Sequence, residues 1–317
     1  MSASTSDLET KKPRPAGPRL WAFRIVRAVV LGYLGVCVIV YSIQNKFVFP
    51  GSAATQGQKD SAISSPYYER KLVPLHTADG TLITALFGTA LQHNGRPIAD
   101  NSHCPTIIYF YGNGACMAYS TGVFEHFRRL GANVILADYE GYGISDGKPS
   151  EKGCYATADA EYKYLRGRPD IDPKYIISIG WSLGGAVAID LAHRQPVAGL
   201  VTLSAFTSLD DMATLFARWL PMSWILKYRF DNIDKIAEIS CPYLNIHGTD
   251  DELVPFYMSG ELVKAAKGPV TKFNVDGGAH NNIFDVGAFE LLAHIDEFIE
   301  SVRPVETPPA TRPAAVK

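Results

Sequence analysis

Residues 174–190 read K-Y-I-I-S-I-G-W-S-L-G-G-A-V-A-I-D, and the two halves of this stretch favour different backbones. Residues 175–179 are a short apolar run of branched and aromatic side chains that suits a buried strand, whereas 186–192 are good helix formers. Between them lies Gly180-Trp181-Ser182-Leu183-Gly184-Gly185, with glycines two before and two after a serine. That spacing lets the chain turn sharply from strand into helix, lifting the serine oxygen clear of the sheet with a helix N-terminus facing it. Ser182 is the candidate nucleophile.

The pattern alone is permissive, because the chain carries it twice. Gly143-Ile144-Ser145-Asp146-Gly147 also reads Gly-x-Ser-x-Gly, but it is followed by Lys148-Pro149-Ser150 and so falls in a loop. Context decides between the copies, and Ser145 is read as part of a glycine-rich turn.

A chain of 317 residues with 47% hydrophobic content can bury one substantial core, and an α/β fold can use all of it as one domain. The formal charge of −2 provides no basic field for nucleic acid. No repeat of 20–50 residues is present, which speaks against solenoids and propellers. The five cysteines, Cys37, Cys104, Cys116, Cys154 and Cys241, lack the paired spacing of a zinc site, and most read as small buried hydrophobes.

Residues 1–19, rich in Ser, Thr, Pro, Lys and Arg, are expected to be a disordered tail. Within 20–45 lies an anchor: residues 28–45 hold no charge over 18 positions, close to the roughly 20 needed to cross a bilayer. A cleaved signal peptide is the rival reading. Its apolar region is shorter, however, and is followed closely by a small-x-small site, which this run lacks. Six basic residues precede the segment (Lys11, Lys12, Arg14, Arg19, Arg24, Arg27) and Lys46 and Lys59 follow it. The positive-inside rule therefore expects a cytosolic N-terminus and a periplasmic or lumenal body. Residues 46–66 read as a linker and 303–317 as a second disordered tail.

The region 67–302 begins with a hairpin, 70–76 and 81–87, around Ala78-Asp79-Gly80. Strands at 106–111, 133–137, 175–179, 199–203, 243–247 and 271–275 then alternate with helices at 121–130, 156–166, 186–192, 256–266 and 288–302. This alternation demands a mostly parallel sheet with helices on both faces. Residues 206–241 interrupt the rhythm with an apolar insertion containing Trp219 and Trp224, read as a helical lid.

A serine hydroxyl needs a base within reach and a carboxylate to orient that base. Leu244-Asn-Ile-His-Gly-Thr-Asp-Asp-Glu opens a strand into an acidic loop, and Phe273-Asn-Val-Asp-Gly-Gly-Ala-His280 opens another into a loop bearing a histidine. The chain order Ser182, Asp251, His280 is that of α/β hydrolases, each residue following a predicted strand. Asp250 is the rival acid. His76, His93, His103, His126, His193 and His294 lie in hairpin, loop or helix and read as solvated or packed. The N–H of Leu183 is one expected oxyanion donor.

With these motifs in place, the chain resembles the α/β hydrolases, in particular a membrane-anchored group that includes protein depalmitoylases and many bacterial esterases. The likeness runs from Lys46-Phe-Val-Phe-Pro50 through Gly112-Asn113, 138–145, 180–185, Arg229-Phe-Asp231 and 247–255 to Gly278-Ala-His-Asn281. It implies that the acid is the fifth residue of His-Gly-x-x-Asp, here Asp251, with His247 structural. It also implies that the second oxyanion donor is Asn113, in a loop reading Tyr-Gly-Asn-Gly where His-Gly is usual. The implied chemistry uses no metal and no cofactor. The motifs say little about substrate, but an apolar lid and an anchor that holds the site near lipid point to a small or lipid-like ester or thioester with an apolar acyl chain. A peptidase or amidase on the same triad and a non-catalytic tethered scaffold are the alternatives. Cys116 is expected to be a buried structural thiol.

Overall fold

The structure, a computed structural model, describes residues 17–52, 60 and 70–304. The greater part of the tails expected to be disordered, and most of the linker, lie outside the described residues. The chain forms two compact units that meet between Ile43 and Gln44.

The first unit consists of the greater part of one long helix, Pro18–Val48, which starts two residues before the expected anchor. Its side chains face outward on every side, Trp21, Phe23, Val29, Leu34 and Val38 all more than half exposed. At 1.5 Å per residue a 31-residue helix is about 46 Å long, enough to span a hydrocarbon layer of about 30 Å.

The second unit is an eight-stranded sheet: β1 Arg70–His76, β2 Leu82–Gly88, β3 Thr106–Phe110, β4 Asn133–Ala137, β5 Ile176–Trp181, β6 Gly199–Leu203, β7 Tyr243–Gly248 and β8 Val270–Val275. Their order is β1-β2-β4-β3-β5-β6-β7-β8. Only the hairpin and the β2–β4 pairing are antiparallel. The other pairs are parallel, as the alternation with helices requires. Strands β3, β4, β6 and β7 are buried at every position, the signature of a sheet covered on both faces. After β3 the chain moves to β4 on one side and then to β5 on the other. The strand order therefore reverses between β3 and β5, and their C-terminal ends open a crevice there.

One expectation about this unit is corrected, and two segments are described in more detail. The helix expected at 156–166 begins at Glu151, because the Ser150 hydroxyl accepts the Gly153 N–H and caps it. The start of the linker is not free chain: Val48 is buried and the fully buried Phe49 ring sits edge-on to Tyr142, Tyr228 and Phe230. The insertion at 206–241 forms the helices Leu209–Phe216, Met222–Ile225 and Asn232–Ile236 but contributes no lining residue to the pocket above Ser182. It is held elsewhere: Glu151 accepts the N–H groups of Arg229 and Phe230, and the Gln44 side chain bridges Ile225 O and Lys227 N.

Candidate active site

Ser182 sits between β5 and helix Leu183–Arg194 with φ 54° and ψ −118°, a backbone that few non-glycine residues adopt. The glycines around it make that turn possible by letting backbones approach. A Cβ on Gly180 would collide with Gly184 O, and one on Gly184 with Phe110 O. The hydroxyl is thus presented at the end of β5, and the residue is only 8% exposed.

The acidic loop after β7 and the glycine loop after β8 are stitched together, Asp250 N–H donating to Gly278 O at 3.0 Å. A Cβ on Gly248 would strike Gly278 O, so the strand end admits only glycine at this separation. This brings His280 Nδ1 to 2.8 Å from Asp251 Oδ2 and His280 Nε2 to 3.0 Å from Ser182 Oγ. A carboxylate only accepts, so the Nδ1 proton lies on the Asp251 side and Nε2 is left to accept the serine hydroxyl. Asp251 Oδ1 accepts the N–H groups of Leu253 and Val254 at 3.0 and 2.8 Å. Burial favours its neutral form, but the His280 hydrogen bond and charge and the Val254 N–H outweigh this and hold the carboxyl below its ordinary value. Asp250, the rival acid, is exposed and bonded to Thr249 Oγ1.

Ser145 is in a different setting. Its hydroxyl donates to Asp138 O at 2.7 Å and accepts Thr84 N–H at 2.9 Å, tying a turn to the hairpin. His247 Nε2 lies 2.9 Å from Val254 O and 3.5 Å from Asp251 Oδ2; burial pushes its pKa down and favours the neutral ring. Cys116 is buried and does not line the pocket.

The expected oxyanion donors also lie at the crevice. Leu183 N–H begins its helix and has no intrahelical acceptor. Asn113 lines the pocket with Ser182 and His280, and Gly112 packs so close that a Cβ there would lie 3.5 Å from Ser182 Cβ. Among the described residues the Asn113 side chain and carbonyl are engaged elsewhere, Nδ2 donating to Val48 O and O accepting from Gly51 N–H and Tyr142 Oη.

Sequence reasoning passed over three contributors. Trp181 flanks His280 with ring centroids 5.9 Å apart and walls the pocket. The Tyr111 side chain points into the body, donating to Asp138 Oδ1 at 3.0 Å. Asp138 itself gathers Met117 N–H, Tyr111 Oη and Ile144 N–H on one buried carboxyl, pinning the loop after β3 to the turn at 143–147. An aspartate closing a strand was visible in sequence; its three partners were not. The pocket above Ser182 holds ≈ 320 Å³ and is lined by Gly112, Ala115, Tyr119, Trp181 and Leu253 beside the polar centre.

An elbow serine, a strand-end acid and a strand-end histidine on a mostly parallel sheet define the α/β-hydrolase class of architecture. A family model for the alpha/beta hydrolase fold matches residues 105–225. Rv2307c of Mycobacterium tuberculosis, an uncharacterized protein, is 34% identical over 83% of this chain and 90% of its own length. Alpha/beta hydrolase domain-containing protein 17B of Xenopus laevis is 34% identical over 62% of this chain and 68% of its own. Among solved structures, the Pyrococcus furiosus esterase Pf2001 superposes with a TM-score of 0.61 at 21% identity, over 79% of this chain and 98% of that one. An acetyl xylan esterase from Paenibacillus sp. R4 gives 0.60 at 15% identity, over 81% and 98%. The chain belongs to the α/β-hydrolase superfamily, in the group of alpha/beta hydrolase domain-containing proteins.

Proposed function

We propose that this chain is a membrane-anchored serine hydrolase that cleaves carboxylic esters or thioesters of an apolar acyl group. One observation carries the reading: the unbroken line from Ser182 Oγ through His280 Nε2, at 3.0 Å, and His280 Nδ1 to Asp251 Oδ2, at 2.8 Å. Ser182 attacks the acyl carbonyl while His280 takes its proton, then returns it to the leaving alcohol or thiol. Asp251 orients the ring and stabilises the imidazolium. The N–H groups of Leu183 and Asn113 receive the oxyanion. Water, activated by the same histidine, releases the acid and restores the serine.

The substrate class follows from the pocket. Among the described residues His280 and Tyr119 are the only ionisable side chains lining it, while Ala115, Trp181 and Leu253 suit an acyl chain better than the charged end of a peptide. The long outward-apolar helix supports anchoring in a bilayer, and the basic residues before it favour a cytosolic N-terminus with a periplasmic or lumenal body. Phe216, Trp219 and Trp224 of the insertion, each more than 60% exposed, support a body that works beside lipid.

Fluorophosphonate labelling of the full chain in detergent tests the reading, followed by hydrolysis of esters of increasing acyl length. Labelling of wild type that disappears in Ser182→Ala supports it. A folded wild type that takes no label sinks it.

A further inference from the structure

The segment that follows the anchor has no assigned role, yet it touches the loop on which the proposed oxyanion hole depends. Three hydrogen bonds fix Asn113 apart from its own N–H. Its Nδ2 donates to Val48 O at 3.1 Å, Gly51 N–H donates to its carbonyl at 2.9 Å, and Tyr142 Oη donates to the same carbonyl at 3.2 Å. Two of the three come from residues 48–51. That strap is rigid in turn: Phe49 N–H closes onto Asn45 O at 2.9 Å, Ser52 Oγ onto Phe49 O at 2.8 Å, and the Phe49 ring is fully buried among Tyr142, Tyr228 and Phe230. The fit is close as well as bonded. A Cβ on Gly51 would collide with Ala115 O and lie 2.7 Å from Asn113 O and 2.9 Å from the Tyr142 ring, with no flexible chain end to give way.

The Asn113 N–H lies in the peptide plane it shares with the Gly112 carbonyl, which accepts Ala115 N–H at 3.2 Å. The bonds to the Asn113 side chain and carbonyl hold the Cα on which that plane pivots, and so limit how the N–H can turn. We propose that residues 44–52 form a strap that positions the Asn113 N–H for the oxyanion, making Gly51 and Val48 positioning residues of the hydrolase. The proposal rests on the reading of Asn113 as an oxyanion donor. It follows that the active unit begins at the end of the anchor helix and that a chain starting after the linker lacks part of its own site. An oxyanion donor acts only within a few tenths of an ångström of its ideal distance, so a strap displaced by one methyl group is felt in the chemical step and not in substrate binding.

The test uses the full chain in nanodiscs, comparing wild type, Gly51→Ala, Asn113→Ala and Gly35→Ala; the last adds a Cβ where nothing lies within 4 Å. The measurements are kcat and KM on an acyl ester, Ki for an acyl trifluoromethyl ketone, whose serine adduct carries the same oxyanion, and Tm. Removing one oxyanion donor costs on the order of 10²–10³ in kcat, so a displaced donor in Gly51→Ala is expected to lose roughly 10–100-fold. Its KM should stay within about twofold, and Ki should rise in step with the loss of kcat. Asn113→Ala, which adds no volume and loses only the bond to Val48 O, should show the same pattern at lower amplitude even if Gly51→Ala proves too unstable to assay. Gly35→Ala should match wild type. Variants that lose Tm but keep kcat and Ki would overturn the proposal, leaving the strap a packing element alone. A wild type that fails to bind the ketone removes the serine-hydrolase reading and the proposal with it.

Discussion

Residues 180–184 and 143–147 share one five-residue pattern, and the fold uses it for two unrelated purposes. In the first, the glycines allow a strand and a helix to meet so closely that Ser182 is forced to φ 54° with its hydroxyl free to meet a base. In the second, Gly143 at φ 46° makes room for the Asp138 carboxyl, and the Ser145 hydroxyl is consumed in bonds to Asp138 O and Thr84 N–H. The contrast teaches that the pattern encodes backbone approach; in the function proposed above, chemistry is added only where the approach happens at the C-terminal end of a central strand, opposite loops carrying an acid and a histidine.

The sharpest way to break this comparison is to exchange the fates of the two serines. Ser182→Ala is expected to lower ester hydrolysis by on the order of 10⁶-fold, while Ser145→Ala keeps the turnover of wild type once folded. Loss of fluorophosphonate labelling in Ser145→Ala with retention in Ser182→Ala would reverse the assignment. The two neighbouring acids give the next largest contrast. Asp251→Asn should lower kcat by about 10⁴-fold, because an amide opposite Nδ1 no longer selects the productive tautomer. Asp250→Asn, exposed and bonded to Thr249, should stay within about twofold.

Stability should separate the two regions in the opposite sense. Gly143→Ala must place a Cβ against the Asp138 carboxylate at a positive φ, combining backbone strain with a disturbed buried acceptor, an expected loss of roughly 2–4 kcal/mol in denaturant unfolding. Ser145→Ala, which orphans Thr84 N–H, should cost about 1–2 kcal/mol. If both variants unfold like wild type, the second copy is a tolerated accident of composition.

Much of this contrast is legible in sequence because it is local. The strand before Ser182, the helix former after it and Lys-Pro-Ser after the second copy all lie within a few residues. The proposed triad is nearly as legible, since Asp251 and His280 each follow an apolar run by a short glycine-bearing loop. What sequence does not reveal is contact between segments far apart: Asn113 meets Val48 across 65 positions, and Lys227 meets Gln44 across 183. For the apolar insertion at 206–241, length and composition suggest a lid but carry no information about which surface it covers. The start of helix Glu151–Arg166 is hidden for another reason. Gly153 looks like a helix breaker, but it sits where a Cβ would crowd the Glu140 side chain, so glycine fits a first turn capped by Ser150.

The finest distinction between the two regions lies in their aspartates, which are shifted in opposite directions. Burial raises the Asp138 carboxyl above its ordinary value despite hydrogen bonds from Met117, Ile144 and Tyr111, whereas His280 and Val254 overcome burial and lower that of Asp251. For Asp251 the folded protein binds the proton less tightly than the unfolded chain. Its contribution is therefore complete above the unfolded value of about 3.9 and is lost as pH falls through the depressed folded one. For Asp138 the sign reverses: its contribution is complete below about 3.9 and is lost as pH rises through the raised folded value. Unfolding free energies measured from acid to neutral pH should then show Asp251→Asn lacking part of the fall in stability on the acid side. Asp138→Asn should lack part of the fall that wild type shows as pH climbs from about 4. The slopes are the observable, because the amide in Asp138→Asn also disturbs Ile144 N–H and shifts the whole curve. Parallel slopes in the two variants would mean that the carboxyls titrate alike, and that burial in the second region is balanced by its three donors.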